Sequence, residues 1–187
     1  MIRHLLLAVA ALAGICTQVC AAPLAGPAQS DPMISETRVV GSWTVRCYRT
    51  QGSLCDVSQA AFERQQRQRV LGVSIAFVAD KNLYTGRIVV PLLVSFAKGL
   101  TIEIGSFRLA NLKYRRCERD GCYVEGVFPQ PMIDAMSQSG LTRGTIEIAA
   151  VNGKKVTLPI SLDGFGDSLL QMKQWESEKS APAASKP

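Results

Sequence analysis

The chain has 187 residues, 21 Lys and Arg against 15 Asp and Glu, a formal net charge of +6 and a single histidine. That histidine is His4, in the opening segment, so the rest of the chain lacks the imidazole that Ser-His-Asp, Cys-His and most catalytic zinc sites need. The mildly basic balance permits attraction to anionic lipid, polysaccharide or nucleic acid and specifies none of them.

Arg3 and His4 precede an unbroken apolar run, Leu5 to Ile15, and small residues follow at Ala21 and Ala22. This is the layout of a secretory signal peptide over residues 1–21, with an apolar run too short to span a bilayer and cleavage expected after Ala21. Cys16 and Cys20 do not make a lipoprotein signal, because Ile15 and Val19 stand where a small residue is needed. Without Arg3 the 21 cations become 20 against 15 acids, a net of +5. About 165 residues remain, enough for one domain with a core. No later run is long enough for a transmembrane segment, so the expected product is exported, periplasmic or secreted, with association to the outer surface left open.

Residues 22–37 are rich in Pro, Ala, Gly and Ser without periodicity and read as a flexible leader to a domain spanning 38–178. The domain opens with a hairpin, Ser42 to Gln59. Centring its turn on Gln51 sets Cys47 opposite Cys55, Val45 opposite Val57 and Arg46 opposite Asp56, with Thr50-Gln51-Gly52 as a three-residue loop. Directly opposed residues lie within disulfide reach. Phe62 to Arg69, with Arg64, Arg67 and Arg69, reads as an exposed strand end or loop, the alternative being a basic ligand patch.

Val70 to Val78 alternates as a half-buried strand, with Leu71, Val73, Ile75 and Phe77 inward. Thr85 to Val94 is extended and interrupted by Pro91, which marks an edge or a bend. After a Lys98-Gly99 turn, Leu100 to Ile104 places Ile102 and Ile104 inward. Lys113 to Gly126 forms a second cysteine hairpin around Arg119-Asp120-Gly121. A two-residue loop there puts Cys117 opposite Cys122, and a three-residue loop displaces them by one. Four cysteines in an exported domain therefore read as two local disulfides. Zinc is the rival, but the spacings suit a tetrahedral site poorly.

Pro131 suits a helix start, so Met132 to Ser139 is expected to be a short helix stopped by Gly140, with its methionines packed in the core. Arg143 to Ile160 is a last hairpin. Only a three-residue Val151-Asn152-Gly153 loop pairs Ile148 with Val156 and Ile146 with Leu158, keeping each face uniform. Phe165, Leu169, Met172 and Trp175 then form an amphipathic helical stripe expected to dock on the strands. Residues 179–187 read as a disordered tail.

The sequence contains no phosphate-cradling glycine loop, dinucleotide fingerprint or calcium-loop motif, so no cofactor or metal is implied. The enzymatic route left is a carboxylate pair drawn from Glu103, Glu125 and Glu147. Glu103 and Glu147 sit between inward isoleucines and so face solvent, and the protein is expected not to be an enzyme. The candidate binding surface is the basic and aromatic cluster Tyr114, Arg115, Arg116, Arg119 and Tyr123 on the second cysteine hairpin. Strand alternation works against its convergence on one face.

Five segments, taken in order, resemble one known family. They are SWTVRC with its tryptophan and cysteine, the second cysteine of LCDVSQ, the PLLVSFAKGLTIEI run, CERDGC, and SLDGF before the last helix. Together, over Ser42 to Leu170, the chain resembles the invasion-associated locus B proteins, exported bacterial proteins linked to entry into host cells. The resemblance implies an all-β, immunoglobulin-like β-sandwich with a short helix and a C-terminal amphipathic helix. It carries Trp43, the four cysteines, Gly121 and Ser161 to Phe165 as structural positions, and it transfers no catalytic residue. Leu93 departs from it, standing where the family commonly has glycine. The expected function is a non-enzymatic envelope or secreted binding factor, with an anionic surface or a host-cell macromolecule as partner and nucleic acid not expected. The alternative is a periplasmic housekeeping module that binds a small ligand or supports envelope integrity.

Overall fold

The computed structural model describes residues 33–49, 55–65 and 67–180. The expected signal peptide with its cleavage site, most of the leader, the Thr50-Gln51-Gly52 loop and the tail beyond Ser180 lie outside them. The described residues form strands β1 (Ile34–Val40), β2 (Trp43–Tyr48), β3 (Cys55–Phe62), β4 (Arg69–Val78), β5 (Leu83–Val90), β6 (Leu100–Ile104) and β7 (Phe107–Leu112). They continue with β8 (Arg116–Glu118), β9 (Gly121–Phe128), helix α1 (Gln130–Ser137), β10 (Arg143–Ala149), β11 (Lys155–Ser161) and helix α2 (Phe165–Ser180).

Two sheets result, one in the order β1-β2-β3-β4-β5-β9-β8 and the other β11-β10-β6-β7. The first begins as an unbroken antiparallel meander from β1 to β5, because each hairpin connection is short enough to pair sequential neighbours. The inward residues of β2 to β5 and β9 meet those of β6, β10 and β11 in one core, the expected β-sandwich. Helix α2 lays Phe165, Leu169 and Met172 onto β2 and β3 and extends that core. Met132, Ile133 and Met136 of α1 are buried in it, so these methionines pack as expected.

The hairpin registers follow from side-chain pattern. Cys47 faces Cys55, Val45 faces Val57 and Arg46 faces Asp56. Cys117 faces Cys122 with Glu118 opposite Gly121, which selects the two-residue Arg119-Asp120 loop. Both pairs are disulfide-bonded, which removes the zinc alternative. Ile148 pairs with Val156 and Ile146 with Leu158, leaving Val151-Asn152-Gly153 as the turn.

Several boundaries move. β1 takes Ile34 to Thr37 into the sheet, residues whose composition reads as leader, because pairing with β2 satisfies their backbone groups. β5 ends at Val90, since Pro91 cannot donate to the ladder; only Val94 rejoins, as an isolated bridge to Ala150. α1 starts two residues early, at Gln130, with Pro129 as N-cap and Pro131 in the first turn. α2 carries the helix to Ser180, past the start of the expected tail. Leu93, the departure from the family pattern, has φ +65, a left-handed conformation suited to glycine.

The SLDGF segment locks the sheets to α2. Trp43 Nε1–H donates to Ser161 O at 3.0 Å, and Gln59 clamps Ser161 from both sides, accepting its N–H at 2.9 Å and donating to its carbonyl at 3.2 Å. Gly164 is required here. It has φ +76, and a Cβ would stand 2.4 Å from Val40 O.

Candidate functional site

The outer face of the seven-stranded sheet carries the concentrated polar chemistry. Register alone builds it. Thr44 lies opposite Ser58, Ser58 opposite Ser74, Ser74 opposite Arg87 and Arg87 opposite Glu125, one polar rung across five strands. The next rung runs Ala60, Gly72, Val89, Tyr123, Arg116. Short side chains at Ser58, Ala60, Gly72 and Ser74 make the floor, while Arg46, Tyr48, Arg69, Arg87 and Tyr123 rise around it. The resulting groove has a volume of about 600 Å³.

Its charges are tied in place. Asp56, 7% exposed, accepts from Ser74 Oγ at 2.7 Å and Tyr48 Oη at 3.2 Å, with Arg46 Nε at 3.6 Å. Arg46 also donates to Ser58 Oγ at 2.7 Å. Glu125 accepts from Arg87 Nε at 2.8 Å and from Arg116, which holds its carboxyl below the usual carboxylate range. Arg116 in turn binds Glu118 and stacks over the Tyr123 ring at 4.4 Å. The Tyr123 hydroxyl donates to Asp120 at 2.5 Å, and Arg69 meets the other Asp120 oxygen at 2.7 Å. The tyrosine hydrogen bond, then the arginine, lowers the Asp120 carboxyl; the same bond raises the Tyr123 phenol.

The candidate cluster is therefore split. Arg116 and Tyr123 come together on this face. Tyr114 does not: its ring is buried against Phe96, centroids 5.4 Å apart, and burial pushes its phenol up to about 12. Alternation alone would place Tyr114 on the face of Arg116, two residues on; Tyr114 instead lies before β8, in the connection from the small sheet to the large one, and packs into the core. Arg115 joins the sheet through its backbone, donating to Tyr123 O at 2.7 Å, and its side chain is exposed. Arg119 sits in the β8–β9 turn beside Phe62, Pro91 and Leu92, at the end of the sandwich. The face as built has four guanidiniums, Arg46, Arg69, Arg87 and Arg116, matched by Asp56, Glu118, Asp120 and Glu125. It offers oriented donors and hydroxyls rather than net positive charge.

Thr44, Ser58, Ser74 and Arg87 did not stand out in the sequence. Their parity against Val45, Val57, Val73 and Ile88 is legible, and the first hairpin sets Thr44 opposite Ser58, but the registers that add β4, β5 and β9 are not. Glu125 is apart from the other two glutamates, which are diagonal neighbours on one face of the paired strands β6 and β10. Glu125 lies on the large sheet, while Glu103 and Glu147 lie on the small one, bound to Arg108 at 2.8 Å and Lys155 at 2.9 Å. Among the described residues no group of three or more His, Cys, Asp and Glu is placed to hold a metal ion, and no helix is long and apolar enough to cross a membrane.

The comparisons agree with this architecture. The crystal structure of invasion associated protein B from Bartonella henselae superposes with a TM-score of 0.69 at 20% identity, covering 77% of this chain and 99% of that one, a likeness of fold. Two curated proteins, Invasion protein B homologs of Brucella abortus strain 2308 and of biovar 1 strain 9-941, are each 29% identical over 128 residues, 68% of this chain and 73% of theirs. The family profile described as "Invasion associated locus B (IalB) protein" matches residues 43–173, and the chain belongs to that family.

Proposed function

We propose that this protein is an exported, non-enzymatic binding factor of the bacterial envelope or its surroundings, linked to contact with host cells, and that the groove of the seven-stranded sheet takes its ligand. The observation that carries the reading is the groove itself, a concave floor of short side chains surrounded by guanidiniums, hydroxyls and a tyrosine already held in position. Preorganised polar groups bind at low ordering cost. With its charges balanced, the groove recognises hydrogen-bonding geometry, which suits a polar macromolecule of a cell surface. A binding role also fits the carboxylates, each occupied by arginine rather than freed for proton transfer. The relatives' names supply the link to invasion, and the two disulfides belong to an oxidising, non-cytoplasmic compartment.

Gly72 allows a direct test. A Cβ there meets nothing closer than 3.6 Å, so Gly72→Leu fills the floor without displacing the backbone. Purified wild-type protein should bind cultured host cells saturably, and Gly72→Leu should lose at least about tenfold in affinity with an unchanged melting temperature. Equal binding by the two proteins, or no saturable binding, would sink the groove reading. Protease cleavage on intact bacteria tests the location: protection until the outer membrane is opened would favour the periplasmic module instead.

A further inference from the structure

Four connections meet at one end of the sandwich: the β3–β4 loop, the β5–β6 crossover, the Arg119-Asp120 turn and the Val151-Asn152-Gly153 turn. The β5–β6 crossover and the Val151-Asn152-Gly153 turn are cross-linked through their backbones. Val94 bridges Ala150, the Ser95 N–H donates to Ala149 O at 2.7 Å, and the Val151 N–H donates to Leu93 O at 2.9 Å. On and beside this frame apolar side chains are exposed, Phe96 with one face packed on the Tyr114 ring. Phe62 is 60% exposed, Leu92 48%, Leu93 74%, Phe96 50% and Val151 66%. Leu93 adopts a left-handed conformation that costs a leucine energy, and it obtains little packing in return. Such strain, on a residue left in water, points to a use for the side chain outside the fold.

The unpaired charges around these tips are mainly positive. Arg64, Arg67, Lys98, Arg119 and Lys154 are exposed and form no ion pair among the described residues. Of the neighbouring acids, Asp120 is held by Arg69 and Glu147 by Lys155, which leaves Glu63. Apolar tips ringed by free cations match the interface of an anionic bilayer, where aliphatic and aromatic groups enter the acyl boundary and cations meet headgroup phosphates. The tips project from separate turns. A fluid lipid surface accommodates that arrangement, whereas a protein partner requires a complementary mould.

We propose that this end of the sandwich docks on an anionic phospholipid membrane, inserting Leu92, Leu93, Phe96 and Val151. The test is co-sedimentation of the purified protein with phosphatidylglycerol-containing vesicles, with pure phosphatidylcholine vesicles as control. Wild type should partition onto the anionic vesicles and be released by high salt. Leu93→Gly removes the apolar side chain and relieves the backbone, so it should weaken partitioning severalfold while melting no lower than wild type. Leu92→Ser/Leu93→Ser should lose at least about tenfold, and Arg119→Ser/Lys154→Ser should weaken binding at low salt only. Gly72→Leu, in the groove, should bind vesicles like wild type. Absence of wild-type partitioning, or variants that partition equally, would overturn the proposal. So would apolar tips that drive concentration-dependent dimerisation without vesicle binding, which would assign them to a second copy of the chain.

Discussion

Trp43 of β2 and Phe165, the first residue of α2, meet with ring centroids 4.8 Å apart and an interplanar angle of 59°, both fully buried. Tilted aromatic pairs of this kind add to the energy of burial itself. The contact joins the SWTVRC segment to SLDGF, more than a hundred residues away, and it fixes where α2 crosses the large sheet. Phe165→Ala should therefore cost about 3–5 kcal/mol, measured by denaturant unfolding. A loss below 1 kcal/mol, on the order of a surface change, would show that α2 is held elsewhere.

Gly86 makes room for an aromatic ring. A Cβ at this position would lie 2.1 Å from Phe128, itself 2% exposed and lacking space to withdraw. Gly86→Ala should destabilise by about 1–3 kcal/mol through overpacking, and Gly86→Ala/Phe128→Leu should recover part of that loss. Thermal melting of the three variants checks both statements.

The two disulfides should differ in weight. Cys47 and Cys55 are completely buried, whereas Cys117 is exposed and its loop is shorter. Cys117→Ala/Cys122→Ala should cost less than the about 3 kcal/mol of a 15-residue loop. Cys47→Ala/Cys55→Ala should cost more than the first pair, because it also empties core volume. Denaturation of each double variant under identical conditions ranks them.

Acidity acts on the fold in opposite directions at two places. Glu176 of α2 accepts the Cys55 N–H at 3.2 Å, and desolvation raises its carboxyl above the usual 4.5. Its contribution is present below pH 4.5 and is lost as pH rises through the raised value. Glu176→Gln keeps an acceptor without the charge, so it should melt with wild type in acid and above it at neutral pH. Glu125 and Asp120 are lowered, by Arg116 and Tyr123 respectively, so their contribution exists at neutral pH and fades as pH falls through the lowered values. Glu125→Gln should narrow the melting-temperature gap between neutral and acid. A variant gap equal to that of wild type would contradict this.

What the sequence determined by itself was local. Alternation of polar and apolar residues set the strand faces, turn chemistry set the registers of the hairpins at Cys47–Cys55 and Ile146–Leu158, and the spacing of Phe165, Leu169 and Met172 set the buried stripe of α2. These depend on neighbours within a few residues, and that information is written in order along the chain. The tertiary structure decided what meets across long separations. It aligned Thr44, Ser58, Ser74, Arg87 and Glu125 into one rung and brought Arg116 over Tyr123. It withdrew Tyr114 from the expected surface and gathered Leu93, Val151 and Arg119 at one end. Each of these follows from sheet order and from where the chain bends between strands. Those are set by the packing of the whole core, to which no single segment holds the key.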